Sequence, residues 1–380
     1  MDALRVRCYN VRFGDAILIS IPDRTSAGNP ITRHILIDVG NVLSGAGGQD
    51  ELFAPVVQDI ESQLRGRPLD LYVMTHEHLD HIQGLPYVHA RLGADLRARH
   101  AWLTASAAPD YYNRHPEAQR RLDALRQAYT RIEGFLAASP GLLTPALQAV
   151  LYNNDPRRTA DCVDFLRAVG RQTWYVYRGY DISRRPGLRD ARLEIWAPEE
   201  DVSIYYSPVL PMALNAPADF SLALDTLSPP AGVDAGAFYN LVEMRRRGFM
   251  DNLLAIDRAA NNTSVVFSLE WHGWRLLFAG DAETRSWQTM SRQGVLRPVH
   301  FLKVSHHGSF NGLPPAPILD TLLPQPAPDG RPRYAVVSTF PETYNNVPAA
   351  AVLEELASRC TLRSTLDVPD GAFLDIVFPP

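Results

Sequence analysis

The stretch Thr75-His76-Glu77-His78-Leu79-Asp80-His81 places four strong metal-binding side chains within six positions, directly after the apolar run Leu71-Tyr72-Val73-Met74. His76 and His78 are two apart in what must be an extended turn, so their imidazoles project to one side. Asp80 and His81 follow where the chain turns toward Gly84-Leu85-Pro86, and Pro86 suits the first turn of a helix. One pair can hold one cation and the other pair a second. Imidazole mixed with carboxylate suits zinc, with manganese or iron as the usual rivals. The plainer alternative is a histidine-rich surface turn, but the density of the cluster at the end of a buried-type strand argues against it.

Two cations need a bridging anion and at least one further ligand. Thr263–Leu269 and Arg275–Ala279 flank the turn His272-Gly273 as a hairpin, whose second strand runs into Gly280-Asp281-Ala282-Glu283. A carboxylate after a glycine at a buried strand's end can reach two cations, so Asp281 is the expected bridge. Phe301–Ser305 is another short strand and delivers His306-His307-Gly308-Ser309. One histidine completes the second metal, and its neighbour faces the substrate as a proton donor or anion contact. The sequence leaves the choice open, with His306 favoured as ligand and His307 as the catalytic donor.

The elements that must position these residues read as strands and helices in alternation. Val6 to Ile21 forms two strands around Phe13-Gly14-Asp15-Ala16, and His34–Val39 a third that ends at Asp38 and Gly40. Apolar residues recur at helical spacing from Gln49 to Gln63, and Pro68 opens the strand that carries the histidines. A helix from Pro86 to Leu92 and a strand from Ala98 to Ala105 follow, which is an α/β layered plan with chemistry gathered at one sheet edge. The chain reads as a single domain over 1–380. Residues 110–170 switch to long amphipathic helices, read as an insertion within that domain. Residues 208–260 read as a Pro-rich excursion and a helix.

Composition bounds the rest. The chain has 380 residues, 46% of them hydrophobic, ample for a sizeable core. No apolar run approaches the ~20 residues that cross a bilayer, and the first residues alternate apolar and charged rather than forming a signal peptide. Cys8, Cys162 and Cys360 are odd in number and far apart, which points away from a disulfide framework and toward a reducing cytoplasm. A net charge of -5 gives no global attraction to nucleic acid or membrane. A polyanionic substrate would need local positive potential, from the metals or from a patch such as Arg245-Arg246-Arg247.

His-x-His-x-Asp-His after a strand, Gly-Asp after a hairpin and a late histidine resemble the metallo-β-lactamase superfamily. The resemblance implies an α/β fold, the αββα sandwich, with a dinuclear metal site. The order of Gly14-Asp15-Ala16, Leu36–Gly40, Asn261–Ser264, Leu277–Asp281 and Leu302–Ser309 is most similar to the nuclease-like domain of bacterial competence DNA-uptake channel proteins. Commoner members add a third histidine to the first metal; His89, His100 and His115 do not fall where it is expected. The resemblance thus implies His76, His78, Asp281 and solvent on metal 1, and Asp80, His81, Asp281 and His306 on metal 2, both Zn2+ or Mn2+. It implies a hydrolase that cleaves a phosphodiester, with nucleic acid among the candidate substrates, using a metal-bridging hydroxide. Asn262, Lys303 and Ser309 are weaker candidates for substrate contact. Alternatives are attack of the same hydroxide on a lactone, thioester or β-lactam, or a metal-containing scaffold whose helical insertion binds a protein partner.

Overall fold

Short runs of β-branched and aromatic residues alternate with amphipathic helices, and each helix has one apolar stripe that needs a sheet to cover it. The computed structural model describes residues 2–42, 50–138, 143–182, 187–209, 251–341, 343–344 and 346–380. Strands β1 (Leu4–Tyr9), β2 (Ala16–Arg24), β3 (Pro30–Val39), β4 (Leu69–Met74), β5 (Ala98–Thr104) and β6 (Gly170–Val176) lie side by side in that order. The next six, β7 (Ala191–Ala197), β8 (Val266–Trp271), β9 (Trp274–Phe278), β10 (Phe301–Lys303), β11 (Tyr334–Val337) and β12 (Thr361–Ser364), form a second sheet. The last, β13 (Phe373–Phe378), returns to pair antiparallel with β1. Each sheet begins with antiparallel neighbours and continues as a parallel run, β3 to β6 in the first and β9 to β12 in the second.

The two sheets face each other through Val6, Ile17, Ile35 and Val73 on one side and Phe267, Leu269, Phe278 and Phe301 on the other. Helices Asp50–Leu64, Gly84–Leu92 and Pro156–Arg167 cover the outside of the first sheet. Helices Thr284–Arg292, Ala316–Leu322 and Ala350–Arg359 cover the outside of the second. This is the αββα layering that the sequence predicts.

The last helix of the expected insertion, Pro156–Arg167, buries Val163 and Leu166 in the core outside the first sheet, so it is the crossover between β5 and β6. Tyr111–Arg114 and Pro116–Ala138 pack in other clusters, and Pro145–Asn153 reaches that core through Tyr152. The Pro-rich excursion and most of the helix expected after it, with Arg245-Arg246-Arg247, lie outside the described residues, which resume as helix over 251–261. Cys8, Cys162 and Cys360 are free thiols. Among the described residues no helix is long and apolar enough to cross a membrane.

The edge where β3, β4, β9 and β10 end is drawn together by backbone contact. Asp15 N–H donates to the Asp80 carbonyl, and Gly40 N–H donates to the Asp15 carbonyl. A Cβ on Gly40 would lie 2.3 Å from the Asp80 carbonyl carbon and 2.4 Å from the His81 nitrogen. Only a residue without a side chain lets the loop after β3 lie against the metal-binding turn. Gly40→Ala is therefore expected to lower stability by about 1–3 kcal/mol. Gly134→Ala, on the exposed face of helix Pro116–Ala138 with open space around it, should raise stability by about 0.5–1 kcal/mol. Denaturant midpoints of the two variants against the parent check both signs.

Candidate metal centre

β4 hands its last residue to Thr75 and the histidine turn, and the orientation of each imidazole there is set by what its other nitrogen meets. His81 Nδ1 lies 2.8 Å from Asp38 Oδ2, so Nδ1–H donates to the carboxylate and Nε2 carries the lone pair. Asp38 is itself held by the Thr75 N–H at 2.8 Å and the Thr75 hydroxyl at 2.6 Å. Because that hydroxyl proton is spent on Asp38, Thr75 Oγ1 accepts from His76 Nδ1–H at 3.0 Å. His76 Nε2 then also carries a lone pair.

His78 is set in the opposite tautomeric sense. The Asn154 amide nitrogen donates to the Val150 carbonyl and to Asp257, which turns its oxygen toward His78 Nε2 at 2.9 Å. His78 Nε2–H donates there, leaving the lone pair on Nδ1. The lone pairs of His76 Nε2 and His78 Nδ1 consequently face each other across 3.1 Å. Two acceptors at that distance repel unless a positive charge lies between them. Zinc–nitrogen bonds of about 2.0–2.1 Å in a tetrahedral site would set a similar separation.

A second convergence lies beside it. Asp80, His81, Asp281 and His307 are each buried and offer ligand atoms within 4.8 Å of one another. His81 Nε2 is 3.3 Å from Asp281 Oδ1, while His307 Nε2 is 3.4 Å from Asp281 Oδ2 and 3.2 Å from Asp80 Oδ2. Asp80 Oδ1, Asp281 Oδ1, His81 Nε2 and His307 Nε2 have no hydrogen-bond partner. His307 Nδ1–H donates to the Ser338 carbonyl at 2.9 Å, which leaves its Nε2 lone pair pointing inward. The two groups adjoin, for the His76 and His81 rings are 4.3 Å apart.

The electrostatics ask for positive charge at this second point. Burial would lower the His307 imidazole, yet the Asp281 and Asp80 carboxylates hold it up at about 10. His81 is held well above its ordinary range, against burial, by Asp281 and Asp80. Both carboxylates are in turn pulled down against burial, Asp80 by His81 and His307 and Asp281 by the same pair. Without a cation, protons on the Nε2 atoms of His81 and His307 balance the two carboxylates; one divalent cation can replace both protons and takes up the freed lone pairs. His76, by contrast, is pushed well below its ordinary value by burial and then by His81 and His78, so it stays neutral with its lone pair free. The residues present fit a metal centre on both counts.

The structure exchanges the two late histidines. His306 and His307 both have left-handed backbone, φ +49° and +52°, and the reversal turns His307 inward to Asp80 and Asp281 while His306 turns outward. His307, rather than the His306 expected as ligand, therefore lies with Asp80, His81 and Asp281, and its Nδ1 is taken by the Ser338 carbonyl. Lys303, a weaker candidate for substrate contact, lies away from solvent and pairs with Asp15 at 2.8 Å. Asn262 accepts from the Ser286 N–H at 3.0 Å near the start of helix Thr284–Arg292, and its amide donates to the Arg258 carbonyl. Ser309 is buried and accepts from the Gly312 N–H at 3.2 Å. His89, His100 and His115 pack against Phe165, Trp174 and Tyr111.

Asn153 and Asn154 were not foreseen. They close helix Pro145–Asn153, and Asn153 Oδ1 accepts from the Asp80 N–H at 3.0 Å while Asn154 sets the His78 tautomer. Their signal is only an Asn-Asn pair near a helix end.

No protein-family model matches the chain, and no relative is found among curated proteins. Among solved structures the chain is similar to a long form RNase Z from yeast, with 10% identity and a TM-score of 0.35. That alignment covers 99% of this chain and 42% of the other, so the chain spans less than half of that protein's length.

Two outcomes follow from these contacts. Asp38→Asn removes the carboxylate that orients His81 and should weaken metal binding by about 10–100-fold, read by competition with a chromophoric chelator. Lys303→Met strands the Asp15 carboxylate in the core and should cost about 3–5 kcal/mol in denaturant titration, recovered in part by pairing it with Asp15→Asn.

Proposed function

We propose that this protein is a metal-dependent hydrolase that cleaves a phosphodiester. The observation that carries the reading is the pair of adjoining groups of inward lone pairs, His76 with His78 and Asp80, His81 and His307 around Asp281. On this reading His76 and His78 would hold one divalent cation, Zn2+ or Mn2+, and Asp80, His81 and His307 a second, with Asp281 the carboxylate available to both. Cations bound there supply Lewis acidity toward phosphoryl oxygens and acidify water at neutral pH.

The rest is done by the chain itself. Asp38, Thr75, Asn154 and the Ser338 carbonyl keep the four imidazoles in the tautomers that present lone pairs, which spares the site any reorganisation. Phe13, 4.2 Å from the His307 ring, gives that flank an apolar wall against water. The order of the five motifs, similar to the competence nuclease-like branch, supports nucleic acid as the source of the diester.

A second reading has its own support. A cavity of about 90 Å³ adjoins His78 and is lined by Glu77, Ser106, Tyr112, Leu122, Leu125 and Ile256 among others. The partly apolar lining beside His78 is of the kind a small carbonyl ester such as a lactone would meet. Metal-loaded protein assayed on bis-p-nitrophenyl phosphate, single-stranded DNA and a lactone, with and without chelator, separates the two. Diester cleavage that chelation abolishes and metal restores is expected, with Asp281→Ala and His307→Ala reducing kcat by more than about 100-fold. Turnover of the lactone alone would transfer the assignment to the ester reading.

A further inference from the structure

A second cluster of donors stands outside the centre described above. Asp257 on the helix over 251–261, Glu283 two residues past Asp281, and His306 on its left-handed turn offer ligand atoms within 4.8 Å of one another. Three separate elements therefore bring two carboxylates and an imidazole to one point. Asp257 also lies 3.9 Å from His78 Nε2, so the cluster flanks the first pair of histidines.

Asn261 gives an independent sign of what belongs there. Its side chain is fully buried, and its amide nitrogen lies 2.9 Å from Glu283 Oε1, 3.2 Å from Asp257 Oδ2 and 3.3 Å from His306 Nε2. One NH2 has two hydrogens for these three acceptors. Its Oδ1, buried beside them, has no partner, and neither has His306 Nδ1, 3.4 Å from Glu283 Oε1. Among the described residues, the arginine or lysine that pairs with Glu283 is Arg258, at 3.8 Å and about half exposed. Carboxamide oxygen and nitrogen are nearly isosteric, so a half-turn of the Asn261 amide puts Oδ1 where three other donors already point.

We propose that Asp257, Glu283, His306 and the Asn261 carboxamide oxygen form a further divalent-cation site, distinct from the two stations around Asp281. Mixed nitrogen and oxygen donors suit zinc or manganese. Metal–ligand bonds of about 2.0–2.2 Å span at most about 4.4 Å, so the cluster need close by only a few tenths of an ångström. The site goes beyond the hydrolase reading, in which Glu283 and His306 take no part and Asp257 only orients Asn154.

The test is metal stoichiometry of the full chain, stripped and reloaded with Zn2+ or Mn2+ alone, by native mass spectrometry and elemental analysis. Glu283→Gln and Asp257→Asn should each bind one ion fewer per chain than the parent, with thermal unfolding confirming that they fold. Asp257 is the less buried of the two, which makes its variant the safer if the other fails to fold. Asp281→Ala should lose ions from the main centre and keep the one at Glu283. Equal counts in the parent and in folded Asp257→Asn would overturn the proposal. Equal counts in the parent and Asp281→Ala, with a lower count in Glu283→Gln, would uphold this site and sink the hydrolase reading instead.

Discussion

Two carboxylates, Asp80 and Asp281, are buried against each other's imidazole partners at a point where several polar atoms have nothing to bond. An ionised carboxylate in such a place costs several kcal/mol even after the protein relaxes. A cation, or protons on His81 and His307, must offset it. Much of the architecture near the sheet edge can be read as holding this pair in place. Asp38 and Thr75 fix one side, the Ser338 carbonyl the other, and Asn153 secures the backbone of Asp80.

The sheets make this arrangement economical. Parallel strands β4, β9 and β10 all end at the same edge, so residues far apart in sequence emerge as neighbouring loops. Because β2 runs antiparallel to β3, its first residue pairs with Val39, and Asp15 arrives at that edge from the other direction. Asp15 then meets Lys303 across 2.8 Å, tying the loop before β2 to the end of β10 in the second sheet. The ion pair thus fastens the two sheets to each other beside the centre they share.

Local signals told most of the story about the fold and part of it about the centre. His76, His78, Asp80 and His81 were legible because ligand types at short spacing follow one strand. Asp281 was legible because a hairpin strand running into Gly-Asp is itself a local pattern. The exchange of His306 and His307 was not legible, since two consecutive left-handed residues reverse which side chain faces in. The pairing of Lys303 with Asp15 was not legible either, because the two are 288 residues apart. Asn154 and Asp257 act from helices whose own periodicity is satisfied by packing, so nothing in their neighbourhoods marks them. Hydrogen-bond partners of metal ligands are chosen by tertiary approach, which no spacing rule records.

The asparagines at 153 and 154 give the helical insertion a meaning that its composition did not. Such elements are often treated as detachable ornaments on a catalytic sandwich. Here the ornament grips the turn it overhangs, through the amide of residue 80 and the imidazole of residue 78. Swapping it for a relative's equivalent, or deleting it to obtain a minimal core, would unlatch that turn unless the replacement carried the same two carboxamides. The insertion and the histidine turn are thus constrained to change together, as lock and keeper.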